Sequence, residues 1–367
     1  MNFKQIFVFL VIIISIQLLA HFVVYEGVNL VFGPYSGMWI PVSQFLLVFL
    51  TFAFVALILF VSKFNNFLTR FLYRTFAVWQ GFLLYFFLAS TVSILAMSLG
   101  FEVSKEYGVG VFVLAFLTGV YGVINAKNIK VKKISVSLKN LPEIWNSKNV
   151  VWISDVHLGQ VNAEGFLKKI VSKINTLNPD LVLIGGDLYD GVKVNTNEIV
   201  EPLRNLKTTS GTYFITGNHD GFTDASTIED IKAIESIGIK VLQDTMVEID
   251  GVQMIGIDYK HSNARENFRQ RLSELNINKE MPSLLLKHIP SDVDIAREAG
   301  IDLQLSGHTH RAQMWPLSYL PKIIYKGFDY GLKKTGDTQI YTSSGVGTWG
   351  PPLRVGSNSE IVLINFI

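Results

Sequence analysis

The chain has 367 residues, 49% of them hydrophobic and 17% charged, with 32 Lys and Arg against 30 Asp and Glu. It is longer than most single domains and too apolar for an ordinary soluble protein. A net charge of +2 offers no basic face of the kind that binds nucleic acid, and the absence of cysteine excludes disulfides, thiolate metal sites and cysteine nucleophiles.

The apolar excess is concentrated in residues 1 to 126. Four stretches there lack Asp, Glu, Lys and Arg: 5–25, 27–62, 75–101 and 107–126 with only Glu26 between the first two. A spanning helix needs about 20 mostly apolar residues, so each stretch is long enough to cross a bilayer. Within the second, "VFGPYSGMWIP" supplies turn residues, which places the start of its helix near Met38 or Trp39. Trp39, Tyr85 and Tyr107 are candidates for interfacial aromatics. The first stretch is too long for the apolar core of a cleaved signal peptide and has no twin-arginine pair before it, so it reads as a retained helix. Lys4, Lys63, Arg70, Arg74, Lys127, Lys130, Lys132, Lys133 and Lys139 fall on one side of four alternating helices, and Lys105 alone on the other. Because basic loops stay inside, both termini and everything after residue 126 are expected in the cytoplasm. The expected organisation is a four-helix transmembrane region over 1–126, a basic linker and domain entry over 127–147, and a second domain over 148–367.

Beyond about residue 134 short apolar strands alternate with amphipathic segments, the pattern of an α/β layered domain. "NVVWIS" (149–154), "DLVLIG" (180–185), "GTYFIT" (211–216), "SLLLKH" (283–288) and "DLQLSG" (302–307) read as buried strands, with a helix over about 162–177. "MVEIDGVQMIGID" reads as a hairpin turning on Asp250-Gly251. Ligands of α/β sheets bind beyond the carboxyl ends of the strands. Those ends carry Asp155 and His157, then Asp187, then Asn218, His219 and Asp220, then His288, then His308 and His310. A lone histidine is more often a satisfied core residue, but six lie in this domain and five of them fall behind strands in this series. His261, the sixth, is assigned to a surface loop.

The ordered series D-x-H, G-D, G-N-H-D, H and G-H-x-H resembles the calcineurin-like metallophosphoesterases, from about residue 148 to the end of the chain. The tail "YTSSGVGTWGPPLR" and "SEIVLINF" resembles the membrane-associated bacterial branch of that family. The resemblance implies a four-layer αββα sandwich carrying two divalent metal ions, with Asp155, His157 and His310 on the first, Asn218, His288 and His308 on the second, and Asp187 bridging. Nitrogen and oxygen donors without thiolate suit Mn, Fe or Zn. Two carboxylates against two dications leave the site cationic even with a bound hydroxide, which attracts a phosphoester anion. By the same resemblance His219 faces the substrate, stabilising phosphoryl oxygens or protonating the leaving group. Asp220 either orients His219 or braces the turn. Arg311 and Arg354 are open between phosphate contact and a merely solvated side chain.

The expected function is a membrane-anchored phosphoesterase acting on a phosphodiester or pyrophosphate, with a lipid-linked substrate suggested by the anchor and a soluble one, such as a cyclic nucleotide, as the alternative. A different class is a membrane sensor or transporter-associated protein whose second domain binds metal or nucleotide without turnover. Against transport, His21 is the one ionisable side chain other than tyrosine inside the four apolar stretches. Against a binding-only domain, no residue of the series is replaced. The lysine run at 127–139 is better matched to an anionic membrane surface than to nucleic acid.

Overall fold

A computed structural model describes residues 3–61, 66–191, 194–220 and 224–367. The chain divides into two compact units, the first running to Ile124 and including Gly350–Leu353, the second formed by Asn125–Trp349 and Arg354–Ile367.

The first unit holds α1 (Phe3–Phe32), α2 (Trp39–Val61), α3 (Phe67–Ser98) and all but the last three residues of α4 (Lys105–Lys127). All four are long and apolar enough to cross a membrane. Their ends depart from the charge-free stretches because helix ends follow backbone hydrogen bonding, which charged side chains tolerate. Helix α1 continues through Glu26 to Phe32, and α3 starts at Phe67, so Arg70 and Arg74 lie inside it rather than in a loop. Lys63 lies outside the described residues. Helix α2 does begin at Trp39, after Gly33 at φ 87° and Gly37 at φ 53° break the chain. Tyr85 is not an interfacial residue: it sits mid-way along α3 and is 5% exposed. Small residues let the helices approach. A Cβ on Gly27 would meet Ser90, one on Gly108 would meet Val31, and one on Gly119 would meet the Phe82 ring. His21 is buried, with Nδ1 2.8 Å from the Gln17 carbonyl while Nε2 accepts the Trp79 indole N–H at 3.0 Å. That pairing satisfies a neutral ring locally.

The second unit contains two six-stranded sheets. The strands are β1 (Lys130–Val136), β2 (Val150–Ile153), β3 (Leu181–Ile184), β4 (Gly211–Phe214), β5 (Lys240–Val241), β6 (Thr245–Ile249), β7 (Val252–Gly256), β8 (Ser283–Leu286), β9 (Leu303–Ser306), β10 (Gly331–Thr335), β11 (Thr338–Thr342) and β12 (Glu360–Phe366). The first sheet runs β1-β12-β2-β3-β4-β5 and the second β10-β11-β9-β8-β7-β6. Between the strands lie α5 (Glu164–Asn175), α6 (Thr196–Val200), α7 (Asp224–Ser236), α8 (Tyr259–Ser262), α9 (Arg265–Glu274), α10 (Val293–Ala299) and α11 (Tyr319–Ile324).

Side chains alternate across a strand, and that period builds the layers. Val151 and Ile153 of β2 face α5 and α7 with Val182, Ile184 and Phe214. Val150 and Trp152 face inward and meet Met254, Leu284, Leu303 and Tyr341 of the second sheet. Ile255 and Leu285 then face α9 and α10 through Phe268, Leu272 and Ile295. The order is helix, sheet, sheet, helix, the four-layer sandwich expected. Asp250 and Gly251 both have positive φ, 45° and 80°, as a two-residue hairpin turn requires. The stretch 130–136, placed in the basic linker and domain entry from sequence, forms edge strand β1 parallel to β12, with Lys130, Lys132 and Lys133 exposed. Lysines on an edge strand discourage further pairing, which accounts for basic residues in a strand.

Candidate metal centre

Parallel strands β2, β3 and β4 of one sheet and β8 and β9 of the other end on the same side, and their following loops converge. Among the described residues three groups each bring their donor atoms within 4.8 Å of one another: Asp155, His157 and His310; His157, Asp187 and His219; and Asp187, His288 and His308. The His157 and His310 Nε2 atoms are 2.9 Å apart, and His310 Nε2 is 3.5 Å from an Asp155 oxygen. On the other side His288 Nε2 lies 3.3 Å from Asp187 Oδ2 and 3.1 Å from Asn218 Oδ1, while His308 Nδ1 lies 2.7 Å from that same Asn218 oxygen. Asp187 Oδ2 is also 3.7 Å from His157 Nε2, so it stands between the two nests. All seven ligand candidates from the sequence are therefore brought together, and imidazole nitrogens converging with carboxylate and carboxamide oxygens are a donor set that suits divalent cations.

The loops adopt costly backbone to do this. Asp155, His157, Asp187, His308 and His310 all have φ between 48° and 71°. For non-glycine residues such conformations cost about 1 to 3 kcal/mol each and persist only where the surroundings over-determine them. Here the surroundings are hydrogen bonds between loops. Asp155 N–H donates to Gly186 O and His157 N–H to Asp187 O, both at 3.0 Å. The His308 N–H donates to the Asp155 carboxylate at 2.9 Å, and the Gly347 N–H to the Asp155 carbonyl at 2.8 Å. A Cβ on Gly347 would lie 2.1 Å from the Val156 carbonyl oxygen, so only glycine fits there.

Electrostatics split the imidazoles into two kinds. Burial would lower His288, but the Asp187 carboxylate beside it pushes it up to about 9. Burial likewise opposes charge on His157, yet Asp190 and Asp187 raise it above its ordinary value. Burial pushes His308 down to about 3 and His310 well below the usual range, aided by charge on His288 and His157 respectively. Asp187 is held far below the usual carboxylate range: burial opposes ionisation, but the neighbouring imidazoles outweigh it. With its pKa pushed up to about 9, His288 favours the protonated form, and a cation binding through its Nε2 would displace that proton. Since a proton competes below about 9, apparent Mn²⁺ affinity is expected to rise with pH, by about tenfold per unit for one displaced proton. Titration at pH 6.5, 7.2 and 8 checks it; a flat affinity would mean that His288 is not a ligand.

Two residues take places the sequence did not reveal. Asp190 lies 3.2 Å from His157 Nδ1, where a carboxylate partner fixes the orientation of that ring. It is the second acid of "GGDLYDG", three residues past Asp187 at the same strand end, and that repeat was the available signal. Arg354 is fully buried. Its guanidinium donates to the Ser344 and Gly347 carbonyls at 2.7 and 2.6 Å and to the His310 carbonyl at 3.3 Å. It braces the loop behind His310, so neither the solvated side chain nor the phosphate contact is what its burial and hydrogen bonds support. Arg311 lies over the Tyr330 ring, 4.7 Å from the centroid.

Asp220 was expected among the catalytic residues, either orienting His219 or bracing the turn. Its carboxylate accepts the Asp187 and Gly217 N–H groups at 2.7 Å and the Tyr189 N–H at 3.0 Å, so bracing is the role its hydrogen bonds support. Burial and Asp187 push it up to about 6. Asp220→Ala leaves three buried N–H groups without their acceptor and is expected to cost at least about 2 kcal/mol, with Asp220→Asn recovering part of it. Thermal unfolding of the two variants checks the order. His219 has its backbone N–H on Asp187 Oδ1 at 2.8 Å, and its ring, half-buried, lies between His157 and Trp349 at 4.9 and 6.0 Å. His261 is not in a loop but in α8, paired with Asp244, because its Nδ1 finds that carboxylate across the fold.

Residues 148–312 match the family model described as calcineurin-like phosphoesterase. A Helicobacter pylori metallophosphoesterase is 32% identical over 242 residues, 65% of this chain and 64% of that protein. A Danio rerio transmembrane protein with metallophosphoesterase domain is 33% identical over 270 residues, 69% of this chain and 61% of its own length. The chain thus spans less than two thirds of those two relatives. An Aquifex aeolicus metallophosphoesterase is 30% identical over 260 residues, 68% of this chain and 97% of that protein. With its strand-end ligand series, its two-sheet sandwich and that near-complete coverage, the chain belongs to the calcineurin-like metallophosphoesterase family.

Proposed function

We propose that this protein is a membrane-anchored, metal-dependent hydrolase of a phosphodiester or pyrophosphate bond, with the catalytic domain on the cytoplasmic side. The observation that carries the reading is the pair of donor nests meeting at Asp187. In this reading Asp155, His157 and His310 hold one divalent ion, Asn218, His288 and His308 hold a second, and Asp187 serves both. When bound, such ions act as Lewis acids on a phosphoryl group and lower the pKa of water.

The chain's own residues supply orientation and access. Asp190 fixes the His157 ring, and Asp220 ties the Asp187 loop to the Gly217 turn. Asn218, His219 and His308 are half-buried where Asp155, His157 and Asp187 are sealed, so they mark the open side of the site. His219 is the group placed there to meet phosphoryl oxygens or the leaving oxygen. A cleft beside Asn218, lined by Thr227, Ile228, Tyr259 and Lys260, offers room for the rest of a substrate. Membrane anchoring draws support from the four apolar helices and from the Danio rerio relative's description as a transmembrane protein. An anchored enzyme meets lipid-linked phosphoesters at high local concentration, and that substrate class fits this reading best.

The test is hydrolysis of bis(p-nitrophenyl) phosphate by the full detergent-solubilised chain, stripped of metal and then given Mn²⁺, Fe²⁺ or Zn²⁺. Metal-dependent release is expected. A fully metal-loaded protein inert on this ester and on lipid diphosphates alike would leave the binding-only alternative standing.

A further inference from the structure

The most exposed large apolar surface of the second unit is concentrated around α11. Tyr319, Leu320, Ile323 and Ile324 are 56 to 75% exposed, while Pro321 between them is buried. At 100° per residue those four fall on one side of the helix and Pro321 on the other, so α11 presents its apolar face to solvent rather than to the core. Trp315, 51% exposed, lies four residues before the first residue of the helix, and Trp349, 56% exposed, is joined to the same segment through paired hydrogen bonds between Gln313 and its backbone. A monomeric soluble domain rarely leaves such a cluster uncovered.

The charges around it narrow what covers it. Lys322 and Lys326 are exposed within and just after α11, and Lys333 and Lys334 are exposed on β10, which follows. Aromatic and branched aliphatic side chains flanked by lysines are the composition of a surface that sinks to the headgroup level of an anionic bilayer: the rings and aliphatics enter the interface, and the ammonium groups reach lipid phosphates. The chain also carries four helices long and apolar enough to cross a membrane, and two residues separate the end of α4 from β1.

We infer that the α11 face, with Trp315 and Trp349, is a membrane-docking surface for anionic lipid. It stands beside the metal centre: Tyr325, directly after α11, sets its ring edge-on to His308 at 6.1 Å, and Trp349 lies 6.0 Å from the His219 ring. Docking there places the open side of the site at the headgroup layer. The assignment stands whether or not the site turns over phosphoesters.

The absence of native cysteine permits single-cysteine labelling of the full chain. Ile323→Cys, Leu320→Cys and, as a control on exposed α9, Ser273→Cys would carry a nitroxide in nanodiscs of three parts phosphatidylcholine to one part phosphatidylglycerol. Ile323 and Leu320 labels should collide with lipid-dissolved oxygen at least threefold more than the Ser273 label and be shielded from an aqueous nickel chelate. In pure phosphatidylcholine that preference should fall at least twofold. Labels as water-accessible as Ser273 overturn the proposal. Labels shielded from both reagents overturn it in favour of a protein partner, and indifference to phosphatidylglycerol overturns the assignment to anionic lipid.

Discussion

Asp187→Asn is expected to remove turnover by about 10³-fold or more, the scale of losing a main source of transition-state electrostatic stabilisation. The substitution is nearly isosteric, so the Oδ1 that accepts the His219 N–H at 2.8 Å can stay in place. What disappears is the charge that both nests share, the carboxylate 3.3 Å from His288 and 3.7 Å from His157. Without it His288 loses the partner that pushes it up to about 9, and its pKa falls as burial takes over. Metal content should drop along with the rate. The measurement pairs bis(p-nitrophenyl) phosphate hydrolysis with elemental analysis of the purified protein. A variant that kept both its metal and its rate would remove Asp187 from the bridging position and with it the two-ion reading.

His219→Gln is expected to slow hydrolysis by about 10² to 10⁴-fold, the usual span for a positioned acid or base. Metal content should remain that of the wild type, which separates it from the Asp187 variant. The distinction matters because His219 also belongs to a donor group with His157 and Asp187. If His219→Gln sheds metal, the ring is a ligand and not the substrate-facing group. Burial lowers the His219 pKa below its ordinary value, which favours the neutral ring, and a phosphoryl anion brought close would raise it again. The leaving group then reports its role. p-Nitrophenolate departs without help, whereas an alkoxide needs a proton. A defect at least tenfold larger on an alkyl ester marks His219 as the acid, and equal defects on both esters mark it as a stabiliser of the phosphoryl oxygens.

The local grammar of the chain carries much of this protein. Strand alternation separates Val150 and Trp152 from Val151 and Ile153, and with it the two faces of a buried sheet. Charge-free length marks four apolar helices, and residue type at strand ends marks the seven candidate ligands. Each of these depends on nearest neighbours or a short period, which is why a one-dimensional reading reaches them. The partners of those residues are another matter. Asp190 meets His157 across 33 positions, Asp220 meets the Asp187 amide across 33, and Arg354 meets the His310 carbonyl across 44. Tyr85 is as apolar and as far from charge as an interfacial tyrosine, yet it is buried. The lysines of 130–133 read as a linker because the first half of edge strand β1 leaves lysines exposed on both faces, and the strand's buried residues are Ile134 and Val136. Residue identity sets the chemistry available at a strand end. Which oxygen meets which nitrogen, and which backbone is forced to positive φ to bring them together, is decided only when distant loops close on one another, since the energy holding them is shared among hydrogen bonds that no single segment contains.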